Sequence, residues 1–146
     1  TCVEGLRRFG MSKVCPLCRG ELDDPEKLFS EGCRIHVMIS RQMEQTSNSW
    51  QALSPAQQRT VDKVVALWQD AAEQGHAKAQ LVLGGTFLQG HGVEKNGKEA
   101  ERWYRSAAEQ GNAMAQVNLG CMFENGQGVE NDDKEAVRWY RLAAEQ

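Results

Sequence analysis

The sequence predicts an all-α fold, an antiparallel helix-pair solenoid preceded by a small, incomplete zinc-finger-like segment. Three observations predict it. "AAEQGHAKAQ" begins at Ala71, "AAEQGNAMAQ" at Ala107, and "AAEQ" returns at Ala143. Aligned without a gap, 71–106 and 107–142 share 22 of 36 residues, which marks a repeat array. Four of the five cysteines lie before this array, at 2, 15, 18 and 33, two of them in a C-x-x-C pair.

Length and charge bound the function. With 146 residues the chain can hold one ordinary domain or two small modules. A net charge of −3 provides no basic field for nucleic acid. No apolar run approaches the roughly 18 residues a bilayer span needs. The first residues, "TCVEGLRRFG", have neither a starting Met nor the apolar core of a signal peptide. An odd cysteine count with C-x-x-C spacing reads as metal binding rather than a disulfide framework. The expected compartment is intracellular and reducing, the cytoplasm with the nucleus left open.

The first element, 1–22, holds "CPLC". Cys15 and Cys18 present two thiolates on one tight turn, as tetrahedral zinc requires. Cys2 lies upstream, separated by the twelve residues "VEGLRRFGMSKV". This arrangement resembles the second half of a RING-type zinc finger. The resemblance implies that Cys2, Cys15 and Cys18 ligate Zn2+, with the other ligands upstream of Thr1. It also implies that Pro16, Leu17 and Arg19 contact a ubiquitin-conjugating enzyme. A second reading stays open, because Cys15, Cys18, Cys33 and His36 spell C-x2-C-x14-C-x2-H, the spacing of a self-contained zinc site. A third is that Cys33 packs as a small hydrophobe beside Ile35, Val37 and Ile39. The finger is expected to be complete, and to hold zinc, only in a longer protein.

Residues 23–53 form a helical or irregular connector, ending in the polar stretch "QTSNSW". The repeat region is 54–146. It opens with an extra helix over 55–74, for which Ser54 offers an N-cap, Pro55 the first helical position and Gln57 the third. The "LWQDAAEQ" of this helix aligns with "WYRSAAEQ", giving three copies of the second helix of a unit and two of the first.

Each unit then needs two helices. The first runs from about Asn112 to Asn125, with Ala113, Val117, Leu119, Gly120 and Phe123 available for packing. "GQGV" and "GHGV" supply the turns. The second starts at "NGKE" or "DDKE", read as capping boxes in which Asn96 or Asp132 accepts from free N–H groups and Glu99 or Glu135 reaches back. Ala100, Trp103, Tyr104, Ala107 and Ala108 form its apolar stripe. Gly75 and Gly111 follow where a left-handed residue ends the helix. One helix pair cannot bury both of its faces, so pairs must stack.

The pattern "AAEQGNAMAQVNLGCMFENGQGVENDDKEAVRWY" resembles the Sel1-like repeat, a relative of the tetratricopeptide family, over about Val61 to Gln146. Phe87 and Phe123 stand where that family commonly has tyrosine. The resemblance implies an adaptor that gathers other proteins on the concave face of the solenoid and performs no chemistry of its own. Neither a phosphate loop nor a nucleophile with its base occurs in the chain. The alternative function is a RING-type ubiquitin ligase whose repeats hold its substrate.

The two units differ in the first helix at Lys78/Met114, Val82/Asn118, Gly85/Cys121, Thr86/Met122 and Gln89/Asn125. These positions lie on one helical face. The expected partner-binding residues are therefore Lys78, Val82, Thr86, Gln89, Met114, Asn118, Met122 and Asn125.

Overall fold

The structure, a computed structural model, describes residues 24–46 and 49–146. Six helices account for it, with no strand among the described residues. They are α1 (Pro25–Thr46), α2 (Pro55–Glu73), α3 (Ala77–Gln89), α4 (Gly97–Glu109), α5 (Ala113–Asn125) and α6 (Asp133–Ala144). Each packs against the next, most broadly within the pairs α1/α2, α3/α4 and α5/α6.

Local chemistry sets each boundary. Ser54 Oγ accepts from the Gln57 N–H at 3.3 Å while Gln57 Oε1 accepts from the Ser54 N–H at 2.9 Å, a complete capping box. Asn96 and Asp132 also cap as expected, each accepting from two N–H groups at the start of α4 and α6. Their boxes are incomplete, however. Glu99 pairs with Arg102 and Glu135 with Arg138, one helical turn onward, where a cation competes for the carboxylate. Gly75 and Gly111 have φ of 87° and 86°, the left-handed conformation that ends α2 and α4.

The core forms two connected clusters. One gathers Val61, Val64, Val65, Trp68, Ala71 and Ala72 of α2 with Ile39 and Met43 of α1 and Ala79 and Leu83 of α3. The other gathers Ala100, Tyr104, Ala107 and Ala108 of α4 with Ala115, Leu119 and Met122 of α5 and Trp139 of α6. A first helix is thus buried against the second helix that precedes it. Sharing each second helix between two neighbours is what makes a stack of pairs rather than separate hairpins.

The sequence left the connector open between helical and irregular. Much of it is α1, capped by Asp24, whose Oδ1 accepts from the Glu26 N–H at 2.9 Å. Because α1 pairs with α2, the packing among the described residues includes three helix pairs. No repeat signal marks α1 in the sequence, since its residues do not follow the period of the later units.

Candidate partner-binding surface

The outer face of a first helix is defined by what its neighbours do not cover. Along α3, Lys78 and Gln89 are exposed and Val82 and Gly85 are half-buried; along α5, Met114 and Asn125 are exposed and Asn118 and Cys121 are half-buried. The two copies match position by position. At 3.6 residues per turn, positions 78, 82, 85 and 89 fall within about 60° of one another around the helix.

Thr86 and Met122 do not belong to this face. Thr86 is 8% exposed and Met122 is 0% exposed. Eight residues from Lys78 or Met114, each is turned about 80° away from that residue, toward the preceding second helix. Thr86 returns its hydroxyl to the Val82 carbonyl at 2.9 Å, and Met122 packs in the cluster that holds Ala100. A difference between units is therefore not proof of solvent.

Two tyrosines form the floor between the first helices. A Cβ on Gly84 would lie 2.5 Å from Tyr104 Cδ1, and one on Gly120 would lie 2.7 Å from Tyr140 Cε1. Glycine leaves room at both places for a ring that lies directly on the helix backbone. The Tyr104 hydroxyl emerges beside Gly85 and lies near Asn118 of α5, at the boundary between consecutive units. Burial raises the Tyr104 phenol above its usual range, and the Asn118 contact partly opposes this. The Tyr140 hydroxyl lies 3.1 Å from Cys121 Sγ and donates to Glu124 Oε2 at 2.7 Å. Both contacts, that to Cys121 foremost, raise its phenol. The repeated "WY" and "LG" pairs carried this signal in the sequence, but not which tyrosine met which glycine.

A buried glutamine locks the register beneath the surface. Gln80 Nε2 donates to the Ala72 carbonyl at 2.9 Å, and Gln116 Nε2 donates to the Ala108 carbonyl at 3.0 Å. Each adds a second hydrogen bond to a carbonyl in the last turn of the preceding second helix, which already accepts from the Gly75 or Gly111 N–H.

The sequence-derived metal ligands are placed as follows. Cys2, Cys15 and Cys18, with Pro16, Leu17 and Arg19, lie outside the described residues. Cys33 is a free, half-buried thiol beside Trp68, and burial raises its pKa. The His36 ring stacks on Trp50 at 5.2 Å between centroids, and Trp50 stacks on His91 at 5.3 Å. Burial and the nearby His91 lower the pKa of His36. Among the described residues, no three His, Cys, Asp or Glu side chains converge to hold a metal. No helix among them is long and apolar enough to cross a membrane.

Comparison with known proteins places this geometry. Residues 77–112 and 113–146 each match the Sel1 repeat. The chain is similar to a Sel1 repeat protein from Oxalobacter formigenes, with 45% identity and a TM-score of 0.56 over 58% of this chain and 35% of that one. It is also similar to a protective antigen present in uropathogenic Escherichia coli strains, which displays an SLR fold. Identity there is 30% and the TM-score 0.67, over 99% of this chain and 25% of that one. The chain thus spans about a third and a quarter of the length of these two structures. Among curated proteins, none matches it.

Proposed function

Because residues 77–146 of this chain are two Sel1 repeats, we propose that the protein is an adaptor that holds another protein against the outer face of its first helices. Sel1 repeats mediate binding to other proteins, and the helix-pair stack supplies the rigid frame such binding needs. One observation supports the placement. Four of the positions that differ along the first helix and remain accessible, Lys78/Met114, Val82/Asn118, Gly85/Cys121 and Gln89/Asn125, share a single face, with Leu81/Val117 and Leu88/Glu124 differing beside it. Shared residues such as Ala79/Ala115, Gln80/Gln116 and Leu83/Leu119 are buried and keep the frame constant.

Met114 is the best anchor on this face. It is 61% exposed, where the preceding unit has Lys78. Methionine is unbranched and polarizable, so it adapts to a partner's surface at little cost in fit. Lys78 on the neighbouring helix adds a cation. This pairing favours a partner segment that presents an apolar side chain next to an acidic one.

The test is photo-crosslinking. A photoreactive residue is placed at Met114, Lys78 or Asn125, and at Glu130 in the α5–α6 connection as a control. Adducts at the first three sites and none at Glu130 support the reading. Equal yields at all four, or adducts at Glu130 alone, overturn it. The ligase alternative draws only on the spacing of Cys2, Cys15 and Cys18. Ubiquitin transfer from a charged conjugating enzyme, measured with zinc content, decides it separately.

A further inference from the structure

Gly32 of α1 meets Trp68 as Gly84 meets Tyr104 and Gly120 meets Tyr140. A Cβ on Gly32 would lie 2.5 Å from Trp68 Nε1, against 2.5 Å and 2.7 Å at the other two contacts. Trp68, Tyr104 and Tyr140 are successive equivalents, 36 residues apart. Gly32 therefore holds the place of Gly84 and Gly120, and α1 occupies the position of a first helix. Cys33 then corresponds to Gly85 and Cys121, and it lies beside Trp68 as Cys121 lies beside Tyr140.

This register shows what α1 has changed. On α3 the face against the preceding second helix is Ala79, Leu83 and Thr86, at 0%, 0% and 8% exposure. On α5 it is Ala115, Leu119 and Met122, all at 0%. The same positions on α1 are Lys27, Glu31 and Arg34, all exposed, with Arg34 and Glu31 paired at 2.6 Å. The α2-facing side remains apolar through Leu28, Phe29, Cys33, Ile35 and Ile39.

We infer that α1 is a degenerate first helix serving as the polar cap of the stack, which keeps another unit or a second copy from docking on that side. A repeat array needs an end that tolerates water, and replacing the inner face of a first helix with charge meets that need. Stacking a second helix on Lys27, Glu31 and Arg34 would strip water from three charges with no partner across the contact. On α6 no such change is seen. Val137 and Tyr140 of α6 are 47% exposed and half-buried, where the equivalent Val65 and Trp68 are buried at 7% and 3%. The inference stands apart from the adaptor reading, because it concerns the end of the stack and not the face of its first helices.

The experiment restores the inner face on the full 146-residue chain. Lys27→Ala, Glu31→Leu and Arg34→Met together copy Ala115, Leu119 and Met122. In sedimentation velocity this variant should form head-to-tail chains that lengthen with concentration beyond anything the parent shows, because a heterologous contact does not close. Adding Val137→Lys and Ala144→Arg on α6 should abolish them. A triple variant that sediments like the parent overturns the inference, as does association that survives the α6 changes. A second measurement tests the register without relying on that variant. Gly32→Ala should lower Tm by several degrees, as is expected of Gly84→Ala, and an unchanged Tm would remove α1 from the first-helix position.

Discussion

Gln110 donates its side-chain amide to Gln80 Oε1 at 2.7 Å, and 36 residues later Gln146 does the same to Gln116 at 2.8 Å. Because Gln80 in turn donates to the Ala72 carbonyl, one side chain on α3 ties together the ends of α2 and α4. Three helices are thus held in register by two hydrogen bonds, one of them fully buried. Removing Gln80 leaves the Ala72 carbonyl with only its own turn contacts and opens a polar gap.

Gln80→Ala should therefore cost about 1–3 kcal/mol, because it removes two hydrogen bonds worth about 0.5–1.5 kcal/mol each. Gln110→Ala should cost less, about 0.5–1.5 kcal/mol, because its end of the bond reaches solvent. Urea unfolding of both single variants and the double measures this. The double should fall well short of the sum, since the residues share one network. Strict additivity would mean that the Gln110–Gln80 contact contributes nothing.

The close glycines predict an asymmetry between units. Alanine within a helix gains about 1 kcal/mol over glycine when nothing obstructs it. At Gly84 the obstruction is the Tyr104 ring, itself 3% exposed and unable to swing aside. Gly84→Ala should destabilise by about 1–3 kcal/mol net, as overpacking does. At Gly120 the ring is Tyr140, tied at its hydroxyl to Glu124 but only half-buried, so it can shift toward solvent. Gly120→Ala should then come out near neutral in the same unfolding measurement. Equal losses at both sites would show that Tyr140 is held as firmly as Tyr104.

How much of this was legible in the sequence depends on whether a residue's partner repeats with it. Trp103 and Trp139, or Asn96 and Asp132, recur at fixed spacing with their surroundings, so their roles could be read from the period alone. The α1 helix could not, because only Gly32, matching Gly84 and Gly120, and Cys33, matching Cys121, survive from the later units. The flanking residues had been rewritten for water. The link from Gln80 to Gln110 was equally hidden. Both residues repeat, yet nothing in a linear pattern states that a residue at the start of α3 meets one at the end of α4.

The stacked rings of His36, Trp50 and His91 make stability depend on pH. His36 has its pKa lowered in the folded chain by burial and by His91. As pH falls below about 6.5, the unfolded chain takes up a proton at this site before the folded chain does. Stability should therefore be insensitive to His36 above that pH, and should decline as pH drops from there to the lowered folded value. His36→Phe keeps a ring on Trp50 and removes the titration. Its unfolding free energy should decline less steeply between pH 7 and pH 5 than that of the parent. Parallel profiles would sink the assignment.

Met114 and Met122 lie on one helix, eight residues apart, and should respond oppositely to the same change. Met122 is fully buried, and its size is explained by the wall it faces. Where α2 has Val64, α4 has Ala100 of the cluster that holds Met122, so the smaller wall of the later unit admits Met122 where the earlier one has Thr86. Core volume is conserved across the pair, which is why these positions vary without facing solvent. Met122→Thr should cost about 2–4 kcal/mol by leaving a cavity, and Met122→Glu should unfold the α5/α6 pair by burying an unpaired charge. Met114, at 61% exposure, should accept Met114→Glu within about 0.5 kcal/mol. That variant should retain full helicity by circular dichroism while losing its crosslinked partner. If Met114→Glu melts the protein, the outer face of α5 is covered and cannot be the docking face. If it neither melts the protein nor weakens capture, the partner binds elsewhere on the stack.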